Sequence, residues 1–186
     1  MVRAAGAVIE RLGPAFTLAD VAKEAGIAAG TLVQRFGSKH GLLVAMTRAA
    51  IEDARRGLRA ALQGGGDPVA AVVRALVERY APLDDPVTAP NNLAQLSVDL
   101  ADERLRELMA EYYAVIEQEL EPALRQAVAA GELPGAPAPE VAARVLGALA
   151  DGTAIRWSTR PVGSLTERLR ADLEAVIEGW RRPPAG

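Results

Sequence analysis

The sequence predicts an all-α fold of about nine helices, in which an N-terminal three-helix domain with a helix-turn-helix (residues 1–45) precedes a larger helical domain (residues 46–186). Two observations support this fold class. Apolar residues recur at spacings of three and four along most of the chain, and the alternation that is typical of strands is absent. Capping residues and glycine or proline breaks divide these periodic segments into separate helices.

The helix-turn-helix is predicted over residues 16–46. Thr17 is suited to be the N-cap of its first helix, with Asp20 as a capping-box partner. That helix should end at Gly26, because glycine readily adopts the left-handed conformation that turns a helix end sharply. The apolar residues expected to pack the first helix against the second are Val21, Ile27, Leu32 and Phe36.

The other side of the second helix is polar. It carries Thr31, Gln34 and Arg35, all of which have hydrogen-bonding side chains. The helix is also short enough to lie in a major groove, which is about 12 Å wide. This pattern indicates that the motif binds DNA.

Six further helices follow, each with its own cap or break. Prolines mark two loops between them, residues 81–90 and 133–139, and the glycine run 64–66 should end the first of the six. The predicted helices cover residues 39–62, 67–80, 91–101, 102–131, 139–159 and 164–182.

Charge is distributed unevenly along the chain. The net charge of the whole chain is -3, but residues 1–63 hold nine Lys and Arg against five Asp and Glu, a net charge of +4. The remaining residues have a net charge of -7. The basic part coincides with the helix-turn-helix, where cations that neutralise DNA phosphates would be needed.

Composition excludes several classes of function. The chain has no cysteine and one histidine, which argues against disulfides, zinc sites and any bound cofactor. No apolar run reaches the length of a membrane span, and the first residues lack the order of a signal peptide. We expect a cytoplasmic protein that has no membrane partner.

The segment FTLADVAKEAGIAAGTLVQRFGSKHGLL resembles the DNA-binding segment of TetR-family transcriptional regulators, and the helix count fits that family. The resemblance implies that the DNA contacts are Thr17, Thr31, Gln34, Arg35 and Lys39. Their chemistry agrees with these roles. Thr31 and Gln34 can reach base edges, whereas Arg35 and Lys39 can hold phosphates, and Thr17 at a helix N-terminus can bind a phosphate oxygen.

Two residues depart from the family pattern. Val33 stands where the family usually has a tyrosine that contacts phosphate, and Ala28 stands where it usually has a serine that caps the recognition helix. A missing cap costs about 0.5–2 kcal/mol. The first helix also begins at Met1, where members of the family usually carry several more residues.

The second domain is predicted to form a homodimer and to enclose a small apolar effector. The dimer would be a four-helix bundle built from the last two helices, so that two recognition helices reach successive major grooves of a palindromic double-stranded operator. The predicted dimer interface consists of Gly147, Gly152, Leu169, Leu173, Val176, Ile177 and Trp180. The predicted ligand-binding residues are Val73, Leu76, Val77, Leu96, Met109, Tyr112 and Tyr113.

The sequence disfavours a charged effector, because few ionisable residues fall on the inner faces of the helices that carry the predicted ligand-binding residues. The chain is therefore interpreted as a DNA-binding transcriptional regulator and not as an enzyme. It is expected to be a repressor that leaves its DNA when the effector binds. The alternative is an all-α enzyme or small-molecule carrier whose helix-turn-helix is incidental. Catalysis is disfavoured because no nucleophile and base can be paired in the second domain.

Overall fold

The computed structural model of the chain describes residues 1–63 and 66–183. This part of the chain forms nine α-helices, two short 3₁₀ helices and no strand, which confirms the predicted all-α fold. The 3₁₀ helices are Gly13–Ala15 and Ala81–Leu83. The α-helices are α1 (Val2–Leu12), α2 (Leu18–Ala25), α3 (Ala29–Phe36), α4 (Lys39–Leu62), α5 (Pro68–Tyr80), α6 (Ala89–Ala101), α7 (Glu103–Ala129), α8 (Pro139–Thr159) and α9 (Leu165–Trp180).

The helices belong to two compact units. Unit 1 comprises Met1–Glu52 and Asp85–Tyr112, and unit 2 comprises Asp53–Asp84 and Tyr113–Gly186. Two helices, α4 and α7, contribute residues to both units. The predicted boundary between two domains after residue 45 stays a prediction. None of the helices in the part of the chain described has both the length and the apolar character to cross a membrane.

The core of unit 1 joins the first three helices to the start of α4. Phe16, Val21 and Leu32 are buried in one cluster with Leu42, and Leu105 of α7 is buried in the same cluster. The predicted capping box is complete, since Thr17 Oγ1 accepts from the Asp20 N–H and Asp20 accepts from the Thr17 N–H. Gly26 ends α2 with a φ of 65°.

The turn between α3 and α4 brings two backbone segments unusually close. A Cβ added at Gly41, in the first turn of α4, would lie 2.0 Å from the carbonyl oxygen of Phe36 at the end of α3. No side chain larger than hydrogen fits at that distance, so glycine is required there. The close contact fixes the direction in which α4 leaves the helix-turn-helix.

The core of unit 2 is formed by the apolar faces of its helices. The apolar residues that share one face of α5 are buried, from Val69 to Tyr80. Asp67 caps α5 by accepting from the N–H groups of Val69 and Ala70. Trp157 of α8 is fully buried, and its indole N–H donates to the Gly163 carbonyl at 3.2 Å.

Asp84 connects the 3₁₀ helix Ala81–Leu83 to the N-terminus of α9. Its carboxylate accepts from the hydroxyls of Ser164 and Thr166 at 2.6 and 2.7 Å, and from the Leu165 and Thr166 N–H groups at 2.6 and 3.2 Å. Burial raises the pKa of Asp84, but these hydrogen bonds outweigh burial and bring the pKa down to about 2. The negative charge also complements the positive end of the α9 dipole.

We expect Asp84→Asn to lower the free energy of unfolding by about 1–2 kcal/mol at neutral pH, a range that allows for solvent screening of this partly exposed group. Because the folded-state pKa lies below the ordinary value of 3.8, the stabilisation is fully present above that value and is lost as the pH falls towards about 2. Urea unfolding of both proteins across this acid range measures the difference.

Asp85→Asn is the matched control, because the Asp85 carboxylate accepts from one backbone N–H, that of Val87 at 2.8 Å. Its effect should be smaller. A deficit of Asp84→Asn that stays constant down to about pH 2 would show that the stabilisation does not come from the ionised carboxylate.

Some helix ends differ from the sequence-based prediction. α6 begins at Ala89 and not at residue 91, because Pro90 takes a first-turn position that needs no N–H donor. Asp102 lies just before α7, where its carboxylate accepts from the Leu105 N–H at 2.9 Å. Gly64 and Gly65, which were expected to end α4, lie outside the described residues.

Candidate nucleic-acid interface and ligand pocket

The exposed side of α3 is the candidate surface for base recognition in DNA. Thr31, Gln34 and Arg35 are all exposed on it. Within the part of the chain described, neither the Thr31 nor the Gln34 side chain forms a hydrogen bond. Val33, which is half-exposed, adds an apolar patch to the same surface. Ala28 has the extended backbone of an N-cap and no side-chain cap, as its departure from the family pattern predicts.

Thr17 and Arg35 border this surface with partners of their own. The Thr17 hydroxyl donates to Asp20 at 2.6 Å, so a phosphate oxygen would have to replace that acceptor. Hydrogen bonds with Thr17, partly opposed by desolvation, hold the pKa of Asp20 below its usual value. The Arg35 guanidinium lies 5.6 Å from the centroid of the Phe36 ring and reaches Met1 Sδ at 3.7 Å.

Lys39 occupies a position that the sequence did not predict. Its Nζ donates to the carbonyls of Pro14 and Phe16 at 2.6 and 2.8 Å and lies 4.2 Å from the centroid of the Phe16 ring. An ammonium has three donors, and two of them are used here. These two bonds hold the start of α4 against the turn before α2, and the third donor remains for the predicted phosphate contact.

Residues outside the helix-turn-helix support it within unit 1. Asn91 of α6 donates to the Glu10 and Arg11 carbonyls at the end of α1, at 2.9 and 3.0 Å. His40 in the first turn of α4 lies 3.2 Å from Asp102 at the start of α7. No local pattern of residues predicts these contacts, because the partners are 62 to 81 residues apart.

Unit 2 contains a pocket of about 230 Å³ between α5, α7 and α8. Its lining combines apolar side chains with two tyrosines and four ionisable residues. The lining residues are Leu76, Arg79, Tyr80, Tyr113, Ile116, Glu117, Arg144, Gly147, Ala148 and Asp151. The expectation of few ionisable residues on these inner faces is therefore wrong.

The Tyr80 hydroxyl donates to Asp151 Oδ1 inside this pocket. Burial raises the pKa of Asp151, although the hydrogen bond from Tyr80 and the charge of Arg79 oppose the rise. Burial also raises the pKa of Tyr80, and the neighbouring Asp151 charge adds to this effect. The pocket thus holds a polar pair in otherwise apolar surroundings.

The predicted ligand-binding residues are not all brought together. Leu76 and Tyr113 line the pocket of unit 2. Val73 lines a different groove between α5 and α9, and Val77 is buried. The remaining three belong to unit 1, where they are half-buried: Leu96, Met109 and Tyr112.

The pocket residues that the sequence analysis missed carry a recognisable signal on α8. Arg144, Gly147, Ala148 and Asp151 recur at the spacing of one helix face. These residues were not recognised as one face because they combine charged and small side chains and do not form an apolar stripe. Gly147, which was predicted to lie in the dimer interface, lines the pocket.

Three residues of the predicted dimer interface are also corrected. Leu169 and Leu173 are fully buried and Ile177 nearly so within a single chain, because α9 packs on α5 and α8 of its own unit. They have no surface left for a partner. Val176 and Trp180 are half-buried, and Gly152 is half-buried with nothing within 4 Å of an added Cβ.

An apolar surface is nevertheless exposed on α8, on a face next to the pocket. Val145 and Ile155 are 38% and 42% exposed, and Leu149 and Gly152 continue the same helical row. On α9 the small residues Ala171, Ala175 and Gly179 are exposed. We call these residues of α8 and α9 the outer face.

An exposed helix-turn-helix in one unit and a pocket in the other are together typical of a helical DNA-binding protein that also binds a small molecule. Comparisons with known proteins identify the family. Residues 2–46 match the model of bacterial regulatory proteins of the tetR family. Residues 68–181 match the model of the C-terminal domain of BetI-type transcriptional repressors. The chain belongs to the TetR family and is a transcriptional regulator.

Solved structures share the fold. A TetR-family regulator from Rhodococcus sp. is 29% identical, with a TM-score of 0.74, and the match covers 97% of this chain and 96% of that chain. FadR from Bacillus subtilis, solved with stearoyl-CoA, shares the fold with a TM-score of 0.80 at 19% identity, covering 96% of each chain. Reduced NemR from E. coli has a TM-score of 0.78 at 21% identity, covering 100% of this chain and 97% of that chain. No curated protein matches the sequence.

Proposed function

We propose that the chain is a repressor that binds a palindromic operator as a homodimer and is released by a small effector with an apolar body. The observation that carries this proposal is the exposed side of α3. Thr31 and Gln34 lie there, and neither side chain forms a hydrogen bond with another described residue. Polar side chains held ready on a short exposed helix are what base recognition in a major groove requires.

The connection between ligand and DNA is proposed to run through α7 and α4, the two helices shared by both units. Tyr113, Ile116 and Glu117 of α7 line the pocket. Two residues further on, Glu119 accepts from Arg59 Nε of α4 through both carboxylate oxygens, at 2.9 and 2.8 Å. A ligand that displaces this part of α7 would therefore also displace α4, whose first turn carries Lys39 and Gly41.

The proposed dimer interface is the outer face of α8 and α9. Val145 and Ile155 are apolar side chains that a partner copy would cover, and the small residues of α9 would allow helices to approach closely. A two-fold axis there would present two α3 helices to one operator.

We expect Gln34→Ala to reduce discrimination between operator base pairs, with a loss of about 1–3 kcal/mol per half-site, because its amide can form a bidentate contact with a base. Fluorescence anisotropy with the DNA upstream of the chain's own gene, and with duplexes that differ from it by single base pairs, measures the change.

Arg35→Ala is the control for this experiment. It should weaken binding to all sequences alike and reduce the slope of affinity against salt concentration, because it removes a phosphate contact. If Gln34→Ala leaves the ranking of the duplexes unchanged, Gln34 is not the base-reading residue. If the wild type binds none of these duplexes more tightly than unrelated DNA, this upstream operator is rejected.

A further inference from the structure

Asp151 is a pocket residue whose carboxylate is held by one oxygen and leaves the other for a ligand. Its Oδ1 accepts from the Tyr80 hydroxyl, whereas Oδ2 has no hydrogen-bond partner among the residues that the structure describes. The side chain is half-buried and lines the pocket. A desolvated carboxylate with a vacant oxygen is stabilised by any ligand that donates a hydrogen bond to it.

The other three charged groups of the pocket are placed differently. Arg144 is exposed, so water already solvates its guanidinium. Arg79 lies 5.0 Å from the centroid of the Tyr80 ring and is already engaged with another residue of the protein. Glu117 is half-buried on α7 like Asp151, but among the described residues no hydrogen bond holds its carboxylate, whereas the Tyr80 hydroxyl holds that of Asp151 in the pocket. With two acids and two bases the net charge of these four side chains is zero, so net charge alone does not select the sign of the charge on a ligand.

The remaining lining suits the body of a small amine. Leu76, Ile116 and Ala148 provide apolar contact, and Tyr80 and Tyr113 provide aromatic rings. Ring faces attract a nearby cation in addition to the attraction of the carboxylate. The cavity of about 230 Å³ is smaller than the usual range for drug-sized ligands, which limits the ligand to a compact molecule.

We propose that this pocket binds a small primary or secondary amine with an apolar or aromatic body, whose ammonium group donates to Asp151 Oδ2. The proposal rests on the proposed function in treating this ligand as the effector. It replaces the earlier expectation that charged effectors are disfavoured, since a cationic ligand here would have a charged partner.

Titration calorimetry of the full-length protein with a matched set of probes tests the proposal. Phenethylamine, phenethyl alcohol and hydrocinnamate share a phenyl ring and a short chain but end in a cation, a neutral hydroxyl and an anion, and short alkylamines extend the set. The amines should bind most tightly and hydrocinnamate least. Asp151→Asn should weaken amine binding by about tenfold or more and change alcohol binding little, because the loss is that of a charged hydrogen bond.

Two further variants make the test specific to Asp151. Asparagine retains an oxygen that accepts from Tyr80, so Asp151→Asn should keep its melting temperature. Tyr80→Phe leaves the carboxylate in place and should keep the preference for amines. Glu117→Gln removes the other acid of the lining and should also keep it. The proposal is overturned if Glu117→Gln abolishes amine binding while Asp151→Asn does not, if hydrocinnamate binds most tightly, or if no amine binds.

Operator binding measured with the same proteins separates this proposal from the proposed function. If amines bind through Asp151 without changing operator affinity, the ligand assignment holds and the effector-controlled repressor is rejected. If the protein binds its operator but no amine, the regulator stands and the ligand assignment is rejected.

Discussion

Gly41→Ala is expected to abolish specific operator binding and to lower the free energy of unfolding by about 3 kcal/mol or more. The added Cβ would lie 2.0 Å from the Phe36 carbonyl oxygen, and the clash is with backbone, which cannot rotate away as a side chain can. Relief requires α3 and α4 to separate, and this separation moves Gln34 of α3 relative to α4. Urea unfolding and fluorescence anisotropy measure the two effects.

Gly57→Ala is the matched control on the same helix. A Cβ at Gly57 meets nothing within 4 Å, so the substitution should stabilise the protein by about 0.5–1 kcal/mol through better helix propensity. Operator affinity should stay unchanged. If the two variants are equally stable, the close approach of α4 to the end of α3 does not exist in solution.

The second large effect is expected from a pair of charge substitutions in the last two helices. Ile155→Glu should give a folded monomer with strongly reduced operator affinity, because a charge would lie in the proposed dimer interface on the outer face of α8. Leu173→Glu should instead prevent folding, because Leu173 is 0% exposed and an unpaired carboxylate would be buried in the core of one chain.

Analytical ultracentrifugation and circular dichroism distinguish these two outcomes. Val87→Glu is the control for a charge on an exposed valine, since Val87 is 81% exposed and lies outside α8 and α9. It should remain a dimer. A folded monomer for Leu173→Glu would restore Leu173 to the interface, and a dimer for Ile155→Glu would remove the outer face from it.

Local chemistry in the sequence predicted the helices well. Thr17, Gly26, Asp67 and Ser164 act within a few residues of their own positions, so each cap could be placed without knowledge of the fold. Two features were predictable for this reason: the number of helices and the polar outer side of α3.

Contacts between distant residues could not be predicted in the same way. An apolar stripe shows that one face of a helix is covered, but not whether its own chain or a partner covers it, and this is why Leu169 and Leu173 were assigned to the dimer. Asp84 and Ser164 are 80 residues apart, and no local pattern joins them. The pocket likewise depends on Tyr80 and Asp151, which lie on different helices.

Unit 1 is assembled from two separate stretches of chain, and this limits how such regulators can be recombined. A chimera that took residues 1–46 from this protein and the rest from another would lose the Asn91 contacts with the end of α1, the His40–Asp102 pair and the buried Leu105. The helix-turn-helix would then pack against residues of the other protein, which do not fit its apolar core. Exchange of DNA specificity between such proteins should therefore succeed only when residues 85–112 are transferred together with the helix-turn-helix.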